Sequence, residues 1–190
     1  MKKQNIFIVM VFSVMILSTL LVFSTSAVPA LSSSTDEGLK YNSWVCTYVT
    51  RADGSIEDNG CSHNLLTNAG KNAIRDAVAT GSTAAFQYIG LCNATAGCNA
   101  TNAADGSLYN EFPNDATGLN RSNAATKLYT GTGNWSYSRT FVAGADNMVT
   151  NKTGIFNATT GATMLAVNTF TTSTLQTNDQ ITVNWTIWVA

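Results

Sequence analysis

Histidine is nearly missing from this 190-residue chain, with a single copy at His63, and charged side chains make up only 11% of it. One histidine leaves no basis for the usual zinc sites, and neither a Gly-x-Ser-x-Gly elbow nor a zinc-protease motif is present. His63 follows Ser62, but adjacency in sequence does not create a nucleophile and its base, so His63 reads as structural. Cations are equally scarce. Ten Lys and Arg stand against eleven Asp and Glu, and no run of them resembles a basic groove, so a nucleic-acid partner is not expected. Glu111 and Asp115 are spaced as a glycosidase pair could be, yet nothing beyond their presence argues for that chemistry. No catalytic residue is assigned, and the expectation is a protein that is not an enzyme.

The N-terminus does carry a clear pattern. Lys2 and Lys3 give a positive start, Ile6 to Phe23 form an apolar stretch broken by Ser13, Ser18 and Thr19, and Ser24-Thr25-Ser26-Ala27 puts small residues ahead of Val28-Pro29. This reads as an export signal over residues 1–27, cleaved after Ala27. The alternative is a retained helix, since about 18 residues rising about 1.5 Å each give about 27 Å, close to a bilayer core. A membrane is therefore expected as a partner during export or if that helix stays. Residues 28–39 follow as an extended Ser- and Thr-rich arm, and 40–190 as a single domain large enough for a hydrophobic core. Losing Lys2 and Lys3 leaves eight cationic side chains against eleven carboxylates, a net charge near −3.

Polarity comes instead from Asn, Thr and Ser. The Asn-X-Ser/Thr acceptor occurs seven times, at Asn93, Asn99, Asn120, Asn134, Asn151, Asn157 and Asn184, all downstream of the export signal. N-linked glycans at such sites supply the solubility that charge usually provides, and point to an outer-surface location, although in a chain so rich in Asn and Thr some matches are accidental. Among cofactors only calcium has a foothold. Asp53-Gly54-Ser55 and Asp105-Gly106-Ser107, the latter followed by Glu111, bring oxygen ligands near Asp-Gly turns, but neither completes the twelve-residue calcium loop and the turn reading is preferred.

Four cysteines, Cys46, Cys61, Cys92 and Cys98, lie after the signal, and export favours disulfides. Of three pairings, Cys46 with Cys61 and Cys92 with Cys98 are preferred because each brackets a turn, the first around Arg51-Ala52-Asp53-Gly54-Ser55. Their spacing lacks the paired short intervals of a zinc ribbon, so no metal site is assigned. Alternation marks the strands. Ile181, Val183, Trp185, Ile187 and Val189 share one parity against Thr182, Asn184, Thr186 and Trp188, which turns Asn184 and Thr186 outward. Lys40 to Thr50 alternates likewise, and Asn134, Ser136 and Ser138 oppose Trp135, Tyr137, Arg139 and Phe141. Further strands are expected at Gln87 to Cys92, Thr126 to Thr130, Met148 to Thr153 and Met164 to Phe170. A helix is predicted from Thr67 or Asn68 through Val78 with Gly81 as its stop, and Leu65, Leu66, Ile74 and Val78 are read as a plug over one end of the sandwich. The fold class is thus all-β, a β-sandwich with one short helix.

Without visible chemistry, a structural subunit fits best. Strand addition is the expected mode of assembly, with one copy supplying an extended segment between Val28 and Val49 to an incomplete sheet in the next, making a homopolymer. The alternating strands, seven acceptor triplets, paired cysteines and export signal resemble the subunits of archaeal extracellular filaments of the thread and bundling-pilus group. That resemblance implies a jelly-roll-like head, an N-terminal donor strand, a glycan coat and a role in surface adhesion or cell–cell contact. Separately, Asn64-Leu65-Leu66-Thr67-Asn68-Ala69-Gly70-Lys71-Asn72-Ala73-Ile74-Arg75-Asp76, followed by Tyr88-Ile89-Gly90-Leu91 and Thr153-Gly154-Ile155-Phe156-Asn157, resembles structural proteins of viral tails or virion surfaces. A secreted carbohydrate-binding module using Trp44, Trp135, Trp185 and Trp188 is the remaining alternative.

Overall fold

The computed structural model describes residues 40–82, 85–114 and 117–190. The readings made for residues 1–27 and 28–39, and for Asp115, fall outside the described residues. The described part is all-β apart from one helix, and its alternating sequences build two five-stranded antiparallel sheets. The first has the order β2-β1-β10-β7-β6, from Ile56–His63, Tyr41–Thr50, Gln180–Val189, Asn134–Val142 and Thr126–Gly131 respectively. The second has the order β3-β9-β8-β4-β5, from Leu65–Leu66, Met164–Leu175, Met148–Phe156, Tyr88–Leu91 and Ser122–Asn123.

Strand β10 shows why the sheets stack. Ile181, Val183, Trp185 and Ile187 are fully buried, and β1 contributes Val45 and Val49 from beside them. Ile89, Leu91, Ile155, Leu165 and Leu175 meet them from the second sheet in one apolar cluster. The chain changes sheet at both flanks. Only Asn64 separates β2 from β3, and Ala124-Ala125 separate β5 from β6, so each lateral edge is a place where one strand hands over to the opposite layer. On the β2 flank, side chains complete the contact. Asn168 of β9 donates from Nδ2 to the His63 carbonyl at 2.9 Å, and Asn59 of β2 donates to the Ser173 hydroxyl at 2.8 Å.

Helix α1, Asn68–Thr80, has the predicted ends. The Thr67 hydroxyl accepts from the Gly70 amide at 2.9 Å, and Gly81 closes the helix at a φ of 71° with its amide on the Ala77 carbonyl. Gly70 sits so close to β9 that a Cβ there would lie 2.1 Å from the Leu165 carbonyl oxygen. The expected four-residue plug does not form. Leu66 and Ile74 pack against the core, but Leu65 is 37% exposed and Val78 81%. Leu65-Leu66 is instead a strand paired with Val167 and Ala166, because its amides complete the β9 edge, and contact between α1 and β9 is made by its N-terminal turn. Likewise Tyr41 to Val49, within the stretch considered as a donor, is paired with β10 of its own chain, and from Trp44 onward with β2 on its other side.

A second apolar cluster, Leu108, Phe156, Met164 and Val167, lies on the other side of the second sheet. Between Thr150 and Lys152 the pairing of β8 with β9 shifts register, with Phe170, Thr171 and Thr172 of β9 opposite Asn151 alone, and beyond that shift Ile155 joins the main core while Phe156 turns away from it. Residues from the long connection between β4 and β5, including Leu108 and Arg121, cover that outer face.

At one end of the sandwich the turns of both hairpins meet on Asp179. Its carboxylate accepts from the Arg51 guanidinium at 2.8 Å, and from the Ala52 and Gln176 amides at 2.9 Å each. Burial alone would push its pKa up, but the Gln176 amide, the Arg51 guanidinium and the Ala52 amide outweigh it and hold the carboxyl below its ordinary value. A depressed folded pKa means that the contribution is present above the unfolded value and is lost as pH falls through the folded one. Asp179→Ala is expected to cost about 2–4 kcal/mol in denaturant unfolding at neutral pH. Asp179→Asn should flatten the loss of stability below about pH 4; an acid limb identical to that of the parent chain would contradict the assignment.

Candidate functional site

The inner stripe of the first sheet continues past the point where strands of the second sheet face it. Tyr41 at the start of β1, Trp135 and Tyr137 on β7 and Val189 at the end of β10 keep the core-facing parity of their strands, but opposite them stands α1. Together with Ile74 and Val78 they line an apolar cleft of about 470 Å³. Phe86 and Leu165 supply its floor and remaining wall. Because α1 docks through its N-terminal turn at Gly70, its later turn leaves Val78 in solvent at the mouth of the cleft. The cleft has one polar feature of note. Burial, together with the hydrogen bond that the Tyr137 hydroxyl donates to Tyr129, pushes the Tyr137 phenol up to about 12, and burial also raises Tyr41 against opposing hydrogen bonds with Ser43 and Asn64.

The seven acceptor triplets spread over the rest of the surface. Asn134 and Asn184 lie on the outer face of the first sheet, as their parity predicts. There Ser136 and Thr186, the hydroxyl residues of the two triplets, sit directly opposite one another and hydrogen-bond at 3.1 Å. Asn184 is central, flanked by Ser138 on one side and Cys46 on the other. Asn93, Asn99 and Asn120 belong to the connection between β4 and β5, and Asn157 opens the turn between β8 and β9. Asn93 caps a short 3-10 turn through the Thr95 amide, and Asn157 accepts from the Thr163 amide at 2.8 Å. Asn151 falls where the pairing of β8 with β9 shifts register, and its partner Thr153 is fully buried with its hydroxyl on the Gly90 carbonyl.

Both preferred disulfides form, Cys46–Cys61 across β1 and β2 with Cα atoms 4.0 Å apart and Cys92–Cys98 with Cα atoms 6.1 Å apart. His63 stacks on Trp44 with ring centroids 3.6 Å apart, so that indole face is taken. The oxygen ligands considered for calcium are already engaged. Asp53 accepts from the Ser55 amide and hydroxyl, Asp105 pairs with Lys152, and both Glu111 oxygens are held by Arg121, whose guanidinium lies 3.5 Å from the centre of the Phe156 ring. Among the described residues, no group of three or more His, Cys, Asp or Glu side chains could share a metal ion. No helix among them is long and apolar enough to cross a membrane.

Lys152, Arg121 and the cleft residues Tyr41 and Phe86 were not singled out from sequence. A lone Lys in a strand that ends in apolar Gly154-Ile155-Phe156 was the available signal for Lys152, masked by its place inside a glycan-acceptor triplet. No protein-family model matches the chain, and no curated protein matches it.

The cleft chemistry has a measurable signature. Tyr137 keeps its proton in the folded state above the pH at which an exposed tyrosine loses it, so its contribution is complete below about pH 10 and is lost as pH rises towards the folded value. Spectrophotometric titration of the folded chain should show, besides the raised Tyr41, a phenol that stays protonated until about pH 12 and is lost in Tyr137→Phe. Titration of all tyrosines near the ordinary value with the fold intact would contradict this.

Proposed function

We propose that this chain is a structural subunit of a glycosylated extracellular filament, built by donating the N-terminal arm of each copy to the next, and serving surface adhesion or cell–cell contact. The observation that carries the reading is the apolar cleft beside α1, where no strand among the described residues faces the core-parity residues of β1, β7 and β10. An extended segment that brings apolar side chains at alternate positions completes such a site while its backbone finds hydrogen-bonding partners at a strand edge. The arm has suitable length, and Val28 and Ala30 at its start stand at alternate positions. Residues 28–39 include Val28, Ala30, Leu31 and Leu39 among Ser, Thr and acidic residues, and twelve extended residues reach about 40 Å. With β1 committed to its own sheet, the donor is confined to 28–39.

The exposed edge strand β6 supports the same reading. Among the described residues it pairs with β7 alone, and Leu128 and Tyr129 on it are exposed, the combination by which an edge strand accepts another chain. In this account the sandwich is jelly-roll-like, an export signal delivers the chain, and N-glycans occupy the faces. A glycan on Asn184, in the middle of the first sheet's outer face, blocks broad face-to-face packing and favours a narrow end-to-end joint.

Val78 provides a clean test because it is already in solvent in the single subunit. Val78→Glu should leave unfolding free energy within about 0.5 kcal/mol of the parent yet abolish filaments in negative-stain micrographs, as should deletion of residues 28–39. Filaments of unchanged length from both variants would overturn the proposal.

A further inference from the structure

Lys152 leaves β8 on the outer face of the second sheet, and its side chain has no exposed surface. Its Nζ lies 2.8 Å from Oδ1 of Asn99, 3.3 Å from the Asn99 backbone carbonyl, 3.4 Å from the Ala100 carbonyl and 3.2 Å from Oδ2 of Asp105. The other Asp105 oxygen is 3.5 Å from Nδ2 of the same Asn99. One carboxylate therefore spans an amine and an amide nitrogen, and the amide carbon lies one C=O bond, about 1.2 Å, beyond the oxygen the amine already touches.

We propose that Lys152 and Asn99 become joined by an intramolecular isopeptide bond, with Asp105 carrying the protons. The geometry supplies the parts this reaction needs. Asp105 Oδ2 takes a proton from the Lys152 ammonium, and the free amine's lone pair forms the bond to Cγ of Asn99 while the carbonyl pair moves onto Oδ1. Asp105 delivers that proton to Nδ2, the returning pair on Oδ1 expels it as ammonia, and the Cγ–Nδ2 bond breaks. Asp105 then passes the remaining extra proton of the new amide nitrogen to that ammonia, which leaves as ammonium, and the carboxylate is restored. No oxidant, metal or further reactant enters the balance.

Three features favour the bond over a simple ion pair. Asn99 is fixed directly after Cys98 of the Cys92–Cys98 bridge, and Asp105 is held by the Asn102 amide at 3.1 Å, so the reacting groups are positioned before reaction. Asn99 is exposed although its Oδ1 faces the buried amine, which gives the departing ammonium a path to solvent. Replacing a fully desolvated ammonium with a neutral amide also removes the penalty of burying its charge. The bond would tie the loop that covers Phe156 and Met164 to the middle of β8 by a link that reductants do not open. It also excludes a glycan from Asn99, since the nitrogen that would carry the sugar is the one lost.

Peptide mapping of the native secreted chain after disulfide reduction tests the proposal. The expected product is a branched tryptic peptide containing Asn99 and an uncleaved Lys152, lighter than its parts by one ammonia, about 17 Da. Asp105→Ala should yield the two peptides separately at full mass, as should Lys152→Met. Cleavage after Lys152 in the parent chain, or a glycan on Asn99, would overturn the proposal. So would the same mass deficit without a branched peptide, which a cyclised Asn59-Gly60 would explain instead.

Discussion

The burial of apolar side chains at alternate positions on β1, β7 and β10 is the constraint on which the rest depends. Each fully buried Val, Ile or Trp in that stripe is worth about 1.5–3 kcal/mol or more when removed from water, so the stripe dictates that a second layer must face it. The second sheet meets this demand along most of its length. Near Tyr41, Trp135 and Val189 it does not, and α1 stands there as a partial roof. The helix is placed by Gly70 against Leu165, a contact at its N-terminal end that leaves Ile74 half-covered and Val78 in solvent. An apolar opening is thus the direct result of how the two layers differ.

The second sheet carries a different burden on its far side. Beyond the register shift between β8 and β9, Lys152, Gly154 and Phe156 face out of the core, and the connection between β4 and β5 has to cover an ammonium as well as an aromatic ring. Charge buried without partners is costly, so that connection is organised around oxygen atoms for Lys152 and a carboxylate for Arg121. The Cys92–Cys98 bridge shortens the connection where Asn99 approaches Lys152. One outer face is therefore closed by chain. In the proposed filament the other is occupied by glycans, which leaves the ends of the sandwich for contact between copies.

Much of this architecture was legible in the residues. The parity of Ile181 to Val189 placed Asn184 and Thr186 outward, the Asp53-Gly54 turn set the first hairpin and its disulfide, and Thr67 and Gly81 marked the helix ends to within a residue. What was not legible depended on contacts distant in sequence. The plug failed at Val78 because a helical stripe predicts which face is apolar, not whether the body it meets extends far enough to cover that face. The two-residue strands β3 and β5 are too short to show a period, and they exist because neighbouring strands offer them hydrogen-bonding edges. Lys152 was hidden for a related reason, since the register shift beside it comes from extra residues on β9, which are distant in sequence.

Site-directed cross-linking between copies tests the central claim, that the cleft beside α1 receives the arm of a neighbour. One preparation carries Leu31→Cys and the other Val78→Cys, and the two are mixed under conditions of assembly and oxidised. The account predicts a disulfide-linked pair that appears only in the mixture and extends to ladders when both substitutions are placed in one chain. Filaments that form without any such link, or a doubly substituted chain that closes the bridge within itself as a monomer, would contradict it.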